Sequence, residues 1–231
     1  MILTQTRIAA TDAHARFGRY KPEEKQSVRK LQVEGNEARE QMKTAWKSYR
    51  YSSLEDKLNY SEALNAVKNL KYSVQDVDNF SIALAEFQDE KEFRAKAGLF
   101  LSALINNGLD GEYVIHVAHL SVMLSCLCSE NEKNVTIHGN IGPWLGCGTK
   151  SGLITVNGSV GDFIGIHMQG GQIIINGNAE AIIGGGLGYY MFRGEIHING
   201  NLKLGIWKGN ITGGKIYHNG ILIGGKEDAD S

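Results

Sequence analysis

Val135-Thr-Ile-His-Gly139 is followed by Ile154-Thr-Val-Asn-Gly158, Ile173-Ile-Ile-Asn-Gly177, Ile196-His-Ile-Asn-Gly200 and Ile216-Tyr-His-Asn-Gly220. The five closing glycines stand 19, 19, 23 and 20 residues apart. A strand-plus-turn unit returning at that interval implies a solenoid in which each coil stacks on the one before. Alternate strand residues point to the same side. Val135, Ile154, Ile173, Ile196 and Ile216 therefore form one inward column, and Ile137, Val156, Ile175, Ile198 and His218 a second. Thr136, Thr155, Ile174, His197 and Tyr217 face outward. The pair before and at each landmark, Asn157-Gly158, Asn176-Gly177, Asn199-Gly200 and Asn219-Gly220, predicts a corner, because both residue types tolerate positive φ. His138 precedes Gly139 in the same place. Asparagines at one height in successive coils, ~4.8 Å apart, can hydrogen-bond to one another as a ladder.

Of the 29 glycines, 24 fall between residues 133 and 225. That density weakens helices and hairpin sheets alike, and suits a chain that turns every few residues. The expected fold class is α+β: an amino-terminal helical region followed by a right-handed parallel β-helix of about five coils. Its handedness follows from the general rule for crossovers between parallel strands. A sandwich with Asn-Gly hairpins is the competing architecture, but hairpins do not require one residue type at one offset every 20 residues. At ~4.8 Å per coil the solenoid forms a block ~25 Å long.

Gly161-Asp-Phe-Ile-Gly165-Ile-His-Met168-Gln-Gly170-Gly171-Gln-Ile173 resembles the GXGXG-repeat domain. That domain forms the carboxy-terminal β-helix of the glutamate synthase large subunit and occurs in one of the subunits of formylmethanofuran dehydrogenase. The resemblance covers residues ~130 to 225 and rests on repeat spacing, not on a catalytic motif. The preceding coil departs from it, with Thr149 and Ser151-Gly152 where the methionine and double glycine stand. In both families the domain is non-catalytic and packs against the parts that do the chemistry, so the resemblance implies a scaffold or an accessory subunit of an oxidoreductase complex.

Ahead of the repeats the chain divides into a polar arm, 1–33, a helical capping region, 34–110, and a lead-in strand and apolar cap, 111–132; the β-helix occupies 133–225 and a charged tail 226–231. Ala38, Met42, Ala45, Trp46 and Tyr49 recur at helical spacing. A second helix runs from Ser52 or Ser53 to about Leu70. Ser73-Val-Gln-Asp76 has the form of a capping box opening a third, through Asp89. A fourth spans Lys91 to Asn107 and stops at Gly108. Such a bundle would cover the open end of the first coil, whose strand edge is otherwise unpaired.

Several function classes are disfavoured. Net charge is −1, which offers no general argument for nucleic acid; the excess of eleven Lys/Arg over six Asp/Glu in residues 1–50 is the one feature pointing that way. Three cysteines make no disulfide framework, and the expected compartment is the cytoplasm. No apolar run is long enough for a membrane span. His116, His119, Cys126 and Cys128 are zinc-ligand types, but their spacing places them on different faces of a strand or helix, so no metal or other cofactor is expected. Gly184-Gly-Gly-Leu-Gly188 lacks the lysine and following helix of a phosphate loop. The acids between 133 and 225 are Asp162, Glu180 and Glu195 alone. Glu180 aligns with Lys203 and Glu195 with Lys215, as charge pairs across neighbouring coils. No catalytic constellation emerges. The lengthened third and fourth coils instead place Tyr189, Tyr190, Phe192 and Arg193 beside Trp207 and Lys208, the residue types that anchor interfaces. The expectation is a non-catalytic scaffold that contacts a protein partner or a second copy of itself through this patch. Alternatives are the accessory oxidoreductase subunit and a ligand-binding homo-oligomer.

Overall fold

A computed structural model of the chain describes residues 37–52, 56–181, 187–204 and 211–225. Those from Ala38 onward belong to one compact unit. The arm, the charged tail, Gly184 to Gly186, Trp207 and Lys208 lie outside the described residues. No helix among the described residues is long and apolar enough to cross a membrane.

Four helices lead into a parallel β-solenoid. The first, α1, covers 37–48; α2 is Asp56–Val67, α3 Val74–Ala83 with a 3₁₀ turn Leu84–Phe87 after it, and α4 Phe93–Asn107. The Ser73 hydroxyl and the Asp76 carboxylate close the expected capping box at the start of α3, answering two orphan donors at once. The α3 helix stops at Ala83 and tightens into the 3₁₀ turn, short of Asp89. Trp46 is the centre of the bundle. Its ring lies 5.3 Å from Phe87, 6.0 Å from Phe93 and 5.5 Å from Phe100. Its indole N–H donates to Glu90 at 3.0 Å, so no polar atom is left stranded by its complete burial.

The solenoid strands are β1 (Glu112–His116), β2 (Asn134–His138), β3 (Leu153–Asn157), β4 (Gln172–Ile175), β6 (Glu195–Ile198) and β8 (Lys215–His218), stacked in that order and in parallel. Val135, Ile154, Ile173, Ile196 and Ile216 pair in one row and are buried. Ile137, Val156, Ile175 and Ile198 form the second buried row. A second, narrower face consists of the bridges Ile141–Val160–Ala179 and the strands β5 (Ala179–Ala181) and β7 (Leu202–Leu204).

Three features differ from the sequence expectation. First, the register extends one coil earlier: Tyr113 pairs with Val135 and Ile115 with Ile137, both buried, so 112–130 is itself a rung of the solenoid. Second, the last landmark is a hairpin. Asn219 and Gly220 have φ of 49° and 77°, the pattern of a type I′ turn, and β9 (Ile221–Gly225) returns antiparallel along β8. Third, Gly158, Gly177 and Gly200 do not adopt positive φ. They are glycine because a Cβ there would collide with the backbone of the glycine one coil below: 2.5 Å from the carbonyl carbon of Gly139, Gly158 and Gly177 respectively. Close approach of rungs, not turn geometry, selects the residue. Gly108 behaves likewise; its φ is −69° and the space over it is taken by the Tyr113 hydroxyl.

The asparagine ladder forms over three coils. Asn176 donates to Asn157 at 2.8 Å and Asn199 to Asn176 at 2.9 Å. Asn219 leaves it for the hairpin and meets His218 instead. A second ladder runs beside the first: Ser159 N–H donates to Asn140, Asn178 N–H to Ser159 and Asn201 N–H to Asn178.

Candidate functional site

The third edge of the solenoid carries the unusual backbone. In the coils where it is described, residues at i, i+2 and i+4 take left-handed φ: Cys126, Cys128 and Glu130; Trp144, Gly146 and Gly148; Phe163, Gly165 and His167; then Gly188 and Tyr190. The hydrogen bonds show why. The outer two positions donate to the next coil, as Trp144 does to Asp162 at 3.0 Å and His167 to Tyr189 at 3.0 Å. The middle position donates to the previous coil, as Gly165 does to Leu145 at 2.9 Å. Alternating left-handed residues thus aim successive N–H groups up and down the axis, and every rung is bonded on both sides. The middle position faces inward, where a Cβ on Gly146 would stand 2.7 Å from the δ-methyl of Ile173. The outer positions face outward and carry the chemistry.

Side chains at those outer positions stack along the axis. Trp144 lies on Phe163 with ring centroids 4.4 Å apart and planes 9° from parallel. His167 lies on Tyr190 at 5.5 Å and 3°. Tyr189 abuts Tyr190 edge-on at 4.2 Å. Left-handed φ at bulky residues costs ~1–2 kcal/mol each, and stacking at the matched ~4.8 Å rise offsets part of it.

Below Trp144 and His167 the stacks are interrupted by a cleft of ≈ 670 Å³ between the ladder and the helices. Tyr51, Tyr60 and Leu99 form its helical wall; Cys126, Glu130, Trp144, Gly148 and His167 form its solenoid wall. The helices are seated firmly there. Ser102 on α4 donates to Gly98 O and, at 3.3 Å, to Cys126 O, and accepts from Ser129 N–H at 3.1 Å. Asn106 donates to the Ser129 carbonyl at 3.0 Å and to the Tyr60 hydroxyl at 2.6 Å. A Cβ on Gly98 would overlap the Ser125 carbonyl oxygen, so α4 lies directly against the lead coil. Nearby, the Tyr49 hydroxyl is buried with no hydrogen-bond partner. Burial is the main cause pushing its pKa well up, with Tyr51 and Cys126 adding to it.

The interface residues expected from the sequence are partly brought together. Tyr190 and Phe192 are 38% and 55% exposed, Arg193 is exposed and Tyr189 half-buried, and all four share one edge. Trp144, 37% exposed, belongs to the same edge but was not among the expected residues. The signal for it is the 19-residue offset from Phe163 at the same height in the repeat. Glu180 and Lys203 are register partners, as are Glu195 and Lys215. Glu195, however, bonds chiefly to His197 at 2.9 Å, and to Gln172 at 3.0 Å, and these hold its carboxyl below its ordinary value.

The four metal-ligand types are not gathered. His116 lies 3.5 Å from Asp78 and stacks on His138; His119 contacts the Ile82 carbonyl at 3.0 Å. Cys128 is buried, its thiol pKa pushed up by desolvation, whereas Cys126 borders the cleft. Among the described residues no group of three or more His, Cys, Asp or Glu could hold a metal ion. Comparison with protein-family models, with curated proteins and with solved structures gave no match to this chain.

Proposed function

We propose that the protein is a non-catalytic β-helical scaffold that docks a protein partner, or a second copy of itself, on its aromatic edge. One observation carries this reading: Tyr190 and Phe192 remain 38% and 55% exposed while Tyr190 is held between His167 and Tyr189 by ring contacts. Aromatics fixed before contact lose little side-chain freedom on binding, and Arg193 supplies a charged rim beside them. The paired substitution Tyr190→Ala and Phe192→Ala tests it. The expected result is a fall in solution mass by sedimentation, or loss of the proteins recovered on immobilised wild type from its native source. Unchanged mass together with an unchanged set of recovered proteins rejects the proposal.

A second reading, the accessory subunit of a glutamate synthase-like or formylmethanofuran dehydrogenase-like complex, is supported by the two-residue spacing of the left-handed positions 144, 146, 148 and 163, 165, 167. Glycine is the residue such positions favour, so the GXGXG resemblance has a backbone rationale. Co-purification with an iron–sulfur or flavin protein separates this reading from the first.

A further inference from the structure

Each of the two outer columns of the ladder stops short of a ring in its lower rungs. One column runs Cys126, Trp144, Phe163 through successive coils, as the bonds Cys126 N–H to Pro143 O and Trp144 N–H to Asp162 O establish. Two of its members are rings stacked at 4.4 Å, whereas the lead coil supplies a thiol. The other column runs Glu130, Gly148, His167, Tyr190. Its upper two members are stacked rings; below them Gly148 has no side chain, and the Glu130 carboxylate fills the space its Cβ would take. The face of Trp144 opposite Phe163 and the face of His167 opposite Tyr190 therefore both turn toward rungs that carry no ring. Trp144, Gly148, His167 and Cys126 all line the cleft. Its ≈ 670 Å³ lies within the range of small-ligand sites, about 300–1,000 Å³.

The rim defines the ligand's chemistry. Tyr60 accepts from Asn106, leaving its O–H proton to donate into the cleft. Glu130 supplies an acceptor and Gln169 an amide able to do both. A bare hydrocarbon ring would leave these groups unanswered. The Glu130 carboxylate is also paired with Lys150, at 3.3 Å, which leaves little positive charge for a phosphate. The unpartnered, buried Tyr49 hydroxyl lies within electrostatic reach of Tyr51 and Cys126, one residue from each wall of the cleft.

We propose that the cleft binds a planar nitrogen heterocycle of the nucleobase or flavin-ring class, stacked on the open face of Trp144 as the absent rung. Its edge exchanges hydrogen bonds with Glu130, Gln169 and Tyr60, and no phosphate is required. The cleft adjoins the aromatic edge of the scaffold proposal and shares Trp144 and His167 with it, but Tyr190 and Phe192 do not line the cleft, so ligand binding and docking are tested by different substitutions.

The test is equilibrium dialysis of the full chain against riboflavin, adenosine and guanosine in turn. At least one is expected to bind one-to-one with Kd below ~1 mM, and Trp144→Ala to weaken it by about tenfold, the loss typical of one aromatic stacking platform. The Cys126→Phe substitution builds the absent rung into the chain. Cys126 and Phe163 share φ of 61°, so the ladder already accepts phenylalanine in that conformation. This variant is expected to abolish binding while keeping the wild-type thermal transition. Failure of all three probes to bind below ~1 mM, or wild-type affinity in either folded variant, overturns the proposal. Should Cys126→Phe not fold, Trp144→Ala decides.

Discussion

Replacing Gly177 by alanine probes the rung spacing on which the solenoid depends. A Cβ there would stand 2.5 Å from the Gly158 carbonyl carbon, against the 3.0 Å that Cβ atoms keep, and closer still to the carbonyl oxygen. Both contacts are backbone, so no rotamer change relieves them, and the rungs must part by at least about 0.5 Å. The Gly177 N–H to Gly158 O bond is 3.1 Å long, and such a displacement carries it beyond hydrogen-bonding distance. The stranded donor costs ~1–3 kcal/mol and weakening of the adjacent Asn176–Asn157 bond ~0.5 kcal/mol, giving ~1.5–3.5 kcal/mol in total. Gly220 provides the control. It holds the same place in the sequence repeat but lies in the hairpin turn, has nothing within 4 Å of its Cβ position, and has φ of 77°. Gly220→Ala therefore bears only the left-handed penalty of ~1–2 kcal/mol. Urea unfolding followed by far-ultraviolet circular dichroism gives both values. If Gly177→Ala costs no more than Gly220→Ala, the close-approach explanation of the landmark glycines is wrong.

Asn176→Asp removes the donor to Asn157 and sets a carboxylate against its carbonyl oxygen, while Asn199 can still donate; a loss of ~1–2 kcal/mol in chemical unfolding is expected, and an unchanged midpoint shows that the ladder contributes nothing net. Glu195 is held below its ordinary 4.5 by His197 and Gln172, so its contribution is present above that value and lost as pH falls through the lower folded pKa. The difference in unfolding midpoint between wild type and Glu195→Gln should accordingly narrow as pH falls below 4.5, and a difference that stays constant with pH through the carboxylate range contradicts the pairing.

The rows of Val135, Ile154, Ile173, Ile196 and Ile216 were legible because strand periodicity and coil periodicity act on the same residues. The lead coil was legible only as a lead-in strand. Its left-handed positions are Cys126, Cys128 and Glu130, residues that give no turn signal; the N–H groups of Cys126 and Glu130 are turned there to the Pro143 and Cys147 carbonyls of the next coil. The landmark glycines were recognised as essential to the repeat but assigned to turning, since composition cannot distinguish a glycine that turns from one that lets two backbones touch. The aromatic edge was half legible: identity and coil length pointed to Tyr189 through Arg193, whereas the Trp144–Phe163 stack requires the axial alignment of coils. The cleft depends on where α4 sits against the lead coil, and no local pattern encodes that distance.

The antiparallel β9 has a consequence for how such a chain can lengthen. Every earlier strand offers its successor an edge of the same polarity, so a duplicated repeat can be spliced in anywhere ahead of β8 and find its place. Beyond Asn219 and Gly220 the polarity is reversed, and a repeat added there meets an edge pointing the wrong way. Growth of this solenoid is confined to insertion within the stack.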